Sequence, residues 1–160
     1  MVQEDGEREI LCRCGQSEMS VSLEVPKDRG VFELIIRVLP EDIDTQNHVN
    51  NVVYLRWVQD VAYAHWDALG SKELKAAFRW VVLRHEIDYH SPALPGDTVV
   101  AYTWITHPEG PRQKRYVSIR RQHDGKALAS ACTEWCLLDA SSGRPRKVTE
   151  EITSVFGLKN

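Results

Sequence analysis

One run of this chain has a helical period, and everything after it has a two-residue period. That change limits the possible folds more than any other feature. From about 50 to 69 apolar residues recur three or four apart: Val52, Leu55, Val58 (or Gln59), Ala62, Trp66 and Leu69. Gly70 is a natural helix stop. Residues 71–78 read as a loop with a short helical piece, after which alternation predicts strands over 80–89, 98–106, 115–121 and 127–138. A β-branched strand over 31–38, ended by Pro40, precedes the helix. The late strands are joined by short turns, one of them an Asp124–Gly125 hairpin signal. Thr149, followed by Glu150 and Glu151, is suited to start a short closing helix.

Consecutive strands with tight turns pair antiparallel, and one long helix must cover the apolar face of their sheet. The expected class is therefore α+β, in a chain of 160 residues that suits a single domain. Residues 1–30 read as a polar N-terminal extension. It carries a short alternating stretch over 20–25 that Pro26, Asp28 and Gly30 interrupt. Residues 31–160 form the domain.

Composition excludes some partners. A net charge of −3 gives no whole-molecule basic field for nucleic acid. No apolar run approaches the roughly 20 residues of a membrane helix. The acidic start, Met1–Val2–Gln3–Glu4–Asp5, has no hydrophobic signal core, so a cytoplasmic setting with four free cysteines is expected. Cys12 and Cys14 lack a second Cys or His pair to complete a metal site, and Cys132 and Cys136 read as small buried hydrophobes on one face of a strand. No metal and no cofactor is expected.

The chemistry concentrates in the polar turn 42–51, which holds Asp42, Asp44, His48, Asn50 and Asn51 directly before the helix. The first amides of a helix lack intrahelical partners and carry partial positive charge, so they can hold an oxyanion. A carboxylate beside them can serve as base or nucleophile, which suits acyl chemistry. Asp42 suits turn structure, and Asn50 and Asn51 are good helix caps. Asp42, Asp44 and His48 match no zinc spacing. No Gly-x-Ser-x-Gly elbow occurs, so a serine-hydrolase route has no support.

The run Asp44–Thr45–Gln46–Asn47–His48–Val49–Asn50–Asn51, with Tyr54 and Trp57 after it, resembles the signature of hot-dog fold thioesterases. The match is to the 4-hydroxybenzoyl-CoA thioesterase-like branch and the related acyl-ACP thioesterases. The run Ile87–Asp88–Tyr89–His90–Ser91–Pro92–Ala93–Leu94–Pro95–Gly96–Asp97 is similar to that family's strand and turn after the helix. The likeness spans about 31–156. It implies a hot-dog fold: an antiparallel sheet wrapped around one long central helix, joined edge to edge in a homodimer or a dimer-of-dimers tetramer with active sites at the interface. It implies Asp44 as the catalytic carboxylate and the backbone amides of Asn51 and Val52 as oxyanion donors. In the acyl-ACP branch a catalytic His would fall on His48. That branch's Asn falls on Gln46, a departure, and its strand carboxylate on Asp88.

The implied substrate is acyl-CoA, with acyl-ACP as the nearest rival carrier. A hot-dog enoyl-CoA hydratase and a non-catalytic acyl-CoA-binding protein are the alternatives. Asn50 and Tyr54 are candidate substrate contacts; Tyr54, Trp57 and Trp66 read as acyl-pocket walls or as core, with core packing the expected role of at least two of them. Arg112, Lys114 and Arg115 form a basic cluster that reads either as a solvated edge or as a clamp for the phosphates of coenzyme A.

Overall fold

The computed structural model describes residues 24–158, together with the backbone of two short strands, β1 (Ile10–Cys12) and β2 (Met19–Val21). The Cys12–Cys14 reading lies outside the described side chains. β1 and β2 pair only with each other, Ile10 opposite Val21. Of the alternating stretch expected over 20–25, Ser20 and Val21 fall in β2, which pairs with β1 and not with the main sheet; residues 22 and 23 lie outside the described residues.

The main sheet has five antiparallel strands in the order β3-β5-β6-β7-β4. These are β3 (Phe32–Arg37), β4 (Phe78–Tyr89), β5 (Thr98–Ile105), β6 (Arg112–Arg121) and β7 (Ala127–Asp139). The hairpins expected from the turns hold β5 to β6 and β6 to β7, and Gly125 takes φ 71°, the left-handed conformation its turn needs. β4 lies on the edge and pairs with β7 alone, through a register shift between Val82 and Arg84.

Helix α1 (Asn51–Leu69) lies against the concave face. Its Val53, Tyr54, Trp57, Val58 and Val61 share a core with Val99 and Ala101 of β5, Val117 and Ile119 of β6, and Ala129 and Ala131 of β7. Burying each of the larger side chains contributes about 1.5–3 kcal/mol. The buried face is rotated from the expected stripe: Val58 and Ala62 are buried as expected, but the ends of the stripe are not. Val52 is 70% and Leu69 47% exposed, whereas Trp57, Val61 and His65 are at most 2% exposed. Two apolar stripes compete on this helix. The one that wins runs through positions 54, 57, 58, 61 and 65, and a histidine at its end hid it from an apolar count.

A second core closes the far end of α1. Leu74 of α2 (Lys72–Ala77) and Ile152 of α3 (Glu150–Val155) meet there with Leu137, Phe156 and Trp66. Gly30 and Gly157 touch backbone to backbone, and a Cβ on Gly30 would lie 2.4 Å from the Phe156 carbonyl oxygen. On the other face of the sheet Val25 and Val31 pack on Trp104, Tyr116 and Cys132. Cys132 and Cys136 are free and buried, as small hydrophobes would be. Among the described residues no helix is long and apolar enough to cross a membrane.

Candidate active site

The loop before α1 is tied at its base by Asp42, which is 1% exposed. Its Oδ2 accepts the Leu39 amide at 2.9 Å, its Oδ1 accepts Arg56 Nη2 at 2.6 Å, and its carbonyl accepts the Asn50 amide at 2.9 Å. Asp42 therefore performs the turn-forming role expected of it, and its carboxylate is engaged away from Asp44. Inside the loop the Asp44 amide donates to the His48 carbonyl at 2.8 Å, and the Asn47 amide donates to the Asp44 carbonyl at 3.0 Å. This tight path needs Asn47 at φ 61°, a conformation Asn tolerates better than most residues. The Asp44 carboxylate folds back over the loop, where Oδ1 accepts the amides of Gln46 at 2.8 Å and His48 at 3.3 Å. His48 thus orients Asp44 through its backbone, and its imidazole has no hydrogen-bond partner among the described residues.

The segment after β4 supplies the facing wall. Val49 donates its amide to the Ala93 carbonyl at 3.0 Å, and the buried Tyr54 hydroxyl accepts the Ala93 amide at 2.8 Å. Burial pushes that hydroxyl above its ordinary pKa, so it stays protonated. The Tyr89 hydroxyl donates to the Asn51 carbonyl at 3.1 Å, and His90 Nε2 lies 3.1 Å from Ser130 Oγ. Together these walls enclose a cavity of about 480 Å³. Asp44, His48, Asn50, Asn51 and Tyr54 all line it, beside Tyr89, His90 and Ser91. Tyr89 and His90 are site-lining residues beyond the expected set; both lie in the second resembling segment, 87–97.

Two expectations change at the helix start. Asn50 caps α1, and its Oδ1 accepts the Val52 amide at 3.0 Å. The Val52 N–H is therefore already committed, and of the two expected oxyanion donors only the Asn51 N–H has no partner among the described residues. Asp88 is exposed and points to the opposite face from Ile87 and Tyr89, because strand side chains alternate. It does not line the cavity.

The basic cluster separates. β6 begins at Arg112 instead of 115, so Arg112 and Lys114 lie on one face and Arg115 on the other. Arg112 pairs with Glu134 at 3.0 Å on the surface, while Arg115 is 6% exposed in the interior. Arg115 cannot join a surface phosphate clamp. It shares its face with Val117 and Ile119, and that alternation was legible. All three residues are also far from Asp44 within one chain. Arg112 pairs in register with Cys136, whereas the Asp44 cavity adjoins the other end of β7, where His90 donates its amide to the Leu128 carbonyl at 2.8 Å.

The same fold recurs in proteins of low sequence identity. A 1,4-dihydroxy-2-naphthoyl-CoA thioesterase from Synechocystis superposes with a TM-score of 0.68 at 18% identity, covering 79% of this chain and 96% of that one. A hypothetical protein from Staphylococcus aureus, solved in complex with CoA, gives 0.69 at 17% identity over 82% of this chain and 85% of that one. A hypothetical protein from Aquifex aeolicus gives 0.69 at 19% identity over 78% and 98%. No curated protein matches the chain in sequence. The model of the thioesterase-like superfamily matches residues 38–156, which includes the Asp44 loop, α1 and all of β4–β7. The five-stranded antiparallel sheet around α1 is the hot-dog fold, and the chain belongs to the thioesterase-like superfamily.

Proposed function

We propose that this protein hydrolyses acyl-CoA: water and the thioester give a carboxylic acid and free coenzyme A. The observation that carries this reading is that Asp44, His48 and Asn51, whose amide has no partner among the described residues, border one open cavity. The thioester oxygen takes the Asn51 N–H at the positive end of α1, where charge developing in the transition state is stabilised. Asp44 either removes a proton from the attacking water or attacks the carbonyl carbon itself, giving an anhydride that water then opens. In both routes the C–S bond breaks and the sulfur leaves as thiolate, to be protonated. The His48 imidazole is free to donate to the substrate. Tyr54, with its hydroxyl occupied, serves as wall.

Coenzyme A as carrier draws support from the CoA-bound Staphylococcus protein and the naphthoyl-CoA thioesterase of the same fold. The unpaired edge of β4, with Val81 and Leu83 exposed, suits a homodimer. Antiparallel pairing of two β4 edges would bring the Arg112 and Lys114 end of one chain to the Asp44 end of the other, within reach of a bound nucleotide.

The test is release of free thiol from a series of acyl-CoA esters, run on the wild type and on Asp44→Asn. Hydrolysis by the wild type and loss of most turnover in a folded Asp44→Asn protein are expected. Near-normal turnover in the variant removes Asp44 from the mechanism. Cleavage of an acyl-ACP, with no thiol released from the same acyl group on CoA, replaces the carrier.

A further inference from the structure

A second cavity, of about 80 Å³, lies toward the other end of α1. Trp66, on its wall, is fifteen residues past Asn51, about 22 Å along the helix axis. The remaining aromatic walls are Tyr63, Trp80, Trp135 and Phe156, and the polar lining is Gln113 and Arg115.

The polar groups are unbalanced. Arg115 is 6% exposed, and its Nη1 donates to His65 Nδ1 at 2.8 Å and to Thr103 Oγ1 at 3.0 Å. Burial, with the Arg115 charge adding to it, lowers the His65 pKa to about 3. His65 is therefore neutral at ordinary pH, and neither of the two acceptors offsets the guanidinium charge. Arg115 forms no ion pair among the described residues. Its guanidinium carbon also sits 5.1 Å from the centre of the Phe156 ring. A buried cation without an anion is costly, and such groups are normally paired.

The indole N–H groups of Trp80 and Trp135 and the Gln113 Oε1 are buried with no hydrogen-bond partner among the described residues. The Gln113 amide cannot simply be reversed, because Nε2 donates to the Thr106 carbonyl at 2.6 Å and the Lys114 carbonyl at 3.0 Å. Buried polar atoms are nearly always satisfied, and all three of these belong to residues of one cavity. An indole N–H only donates, as does a guanidinium. Three donor-bearing side chains lining one cavity call for an anion, and its aromatic lining calls for an apolar body.

We propose that this cavity binds a small carboxylate with an apolar body, its oxygens held by Arg115 and the indole N–H groups of Trp80 and Trp135. The space exceeds what one water needs. Tyr63, half exposed, puts one wall of the cavity at the protein surface. Gln113 Oε1 is left to accept from a hydroxyl or a water.

The test titrates the full-length protein with benzoate, followed by tryptophan fluorescence and calorimetry. Benzamide is the neutral counterpart and inorganic phosphate the anion without an apolar body. Saturable benzoate binding, weaker by about ten-fold or more for benzamide, is expected, with no comparable phosphate binding. Arg115→Met should abolish binding and also the rise in Tm that benzoate gives the wild type. If Arg115→Met does not fold, Trp135→Phe decides: it keeps a ring, loses the N–H and should weaken benzoate about ten-fold. Asp44→Asn should bind benzoate as the wild type does, so failure of the hydrolysis reading leaves this result standing. Absence of saturable binding, equal affinity for benzamide, preference for phosphate, or unchanged affinity in Trp135→Phe overturns the proposal.

Discussion

Asn50 Oδ1 accepts the Val52 amide at 3.0 Å, while the Asn50 carbonyl takes the Val53 amide at 2.9 Å. One residue thereby satisfies two of the first amides of α1 and leaves the Asn51 amide to the cavity. Asn50→Ala should cost about 0.5–2 kcal/mol in urea denaturation, because the cap is lost. Asn50→Asp keeps an acceptor and should retain most of that stability. Its added negative charge beside the oxyanion position should lower turnover instead. A stable, fully active Asn50→Asp would mean that no oxyanion forms next to this cap.

Tyr54 ties α1 to the segment after β4. Its hydroxyl is the acceptor for the Ala93 amide at 2.8 Å, and Ala93 is fully buried. Tyr54→Phe keeps the ring against Trp57 and Tyr89 but leaves that amide without a partner. The expected loss is about 1–3 kcal/mol, read from the denaturation midpoint at unchanged slope. A loss below about 0.5 kcal/mol would mean that water replaces the hydroxyl, which the burial of Ala93 argues against.

The order of elements was legible because its signals are local. Alternation located β4 to β7, the Asp-Gly turn located one hairpin, and Gly70 ended α1 where expected. The clustering of Asp44, His48, Asn50 and Asn51 was legible for the same reason, since they are neighbours in sequence. What was missed depends on contacts between distant segments. The side of α1 that is buried was set by the match of Trp57 and Val61 to the concave sheet. Tyr89 and His90 entered the site because the end of β4 meets the start of α1. The inward face of Arg115 was legible from its alternation with Val117 and Ile119, but the placing of Arg112 and Lys114 on the opposite face of the same strand was not, because the strand starts three residues earlier than expected.

His65 makes stability depend on pH. It is 2% exposed, and burial, with the Arg115 charge adding to it, lowers its pKa from 6.5 to about 3. Above pH 6.5 the ring is neutral in both folded and unfolded chains, and stability does not change on its account. Between about pH 6.5 and 3 the unfolded chain binds a proton that the folded one refuses, so stability falls as pH falls. The slope should approach about 1.4 kcal/mol per pH unit within that window. His65→Asn can keep an acceptor for Arg115 and cannot titrate, so its stability should lose this component of the slope. An unchanged slope in the variant would assign the acid sensitivity to other groups.

Arg112 and Lys114 share one face of β6, and Arg112 is held by Glu134 at 3.0 Å. If they meet the phosphates of coenzyme A across the β4 edge, they supply uniform binding and no transition-state stabilisation. Arg112→Ala with Lys114→Ala should then raise KM for acyl-CoA and leave kcat nearly unchanged. The same pair should have little effect on a short thioester that lacks the nucleotide. Each lost phosphate contact is a charge-assisted hydrogen bond at an exposed site, so an increase of about ten-fold in KM is expected for the pair. Raising the salt concentration should reproduce part of that increase in the wild type and little of it in the variant, because screening removes the same attraction. Equal effects on both substrates would mean that the two cations act on the fold or the dimer, and sedimentation of the variant against the wild type would separate those two causes.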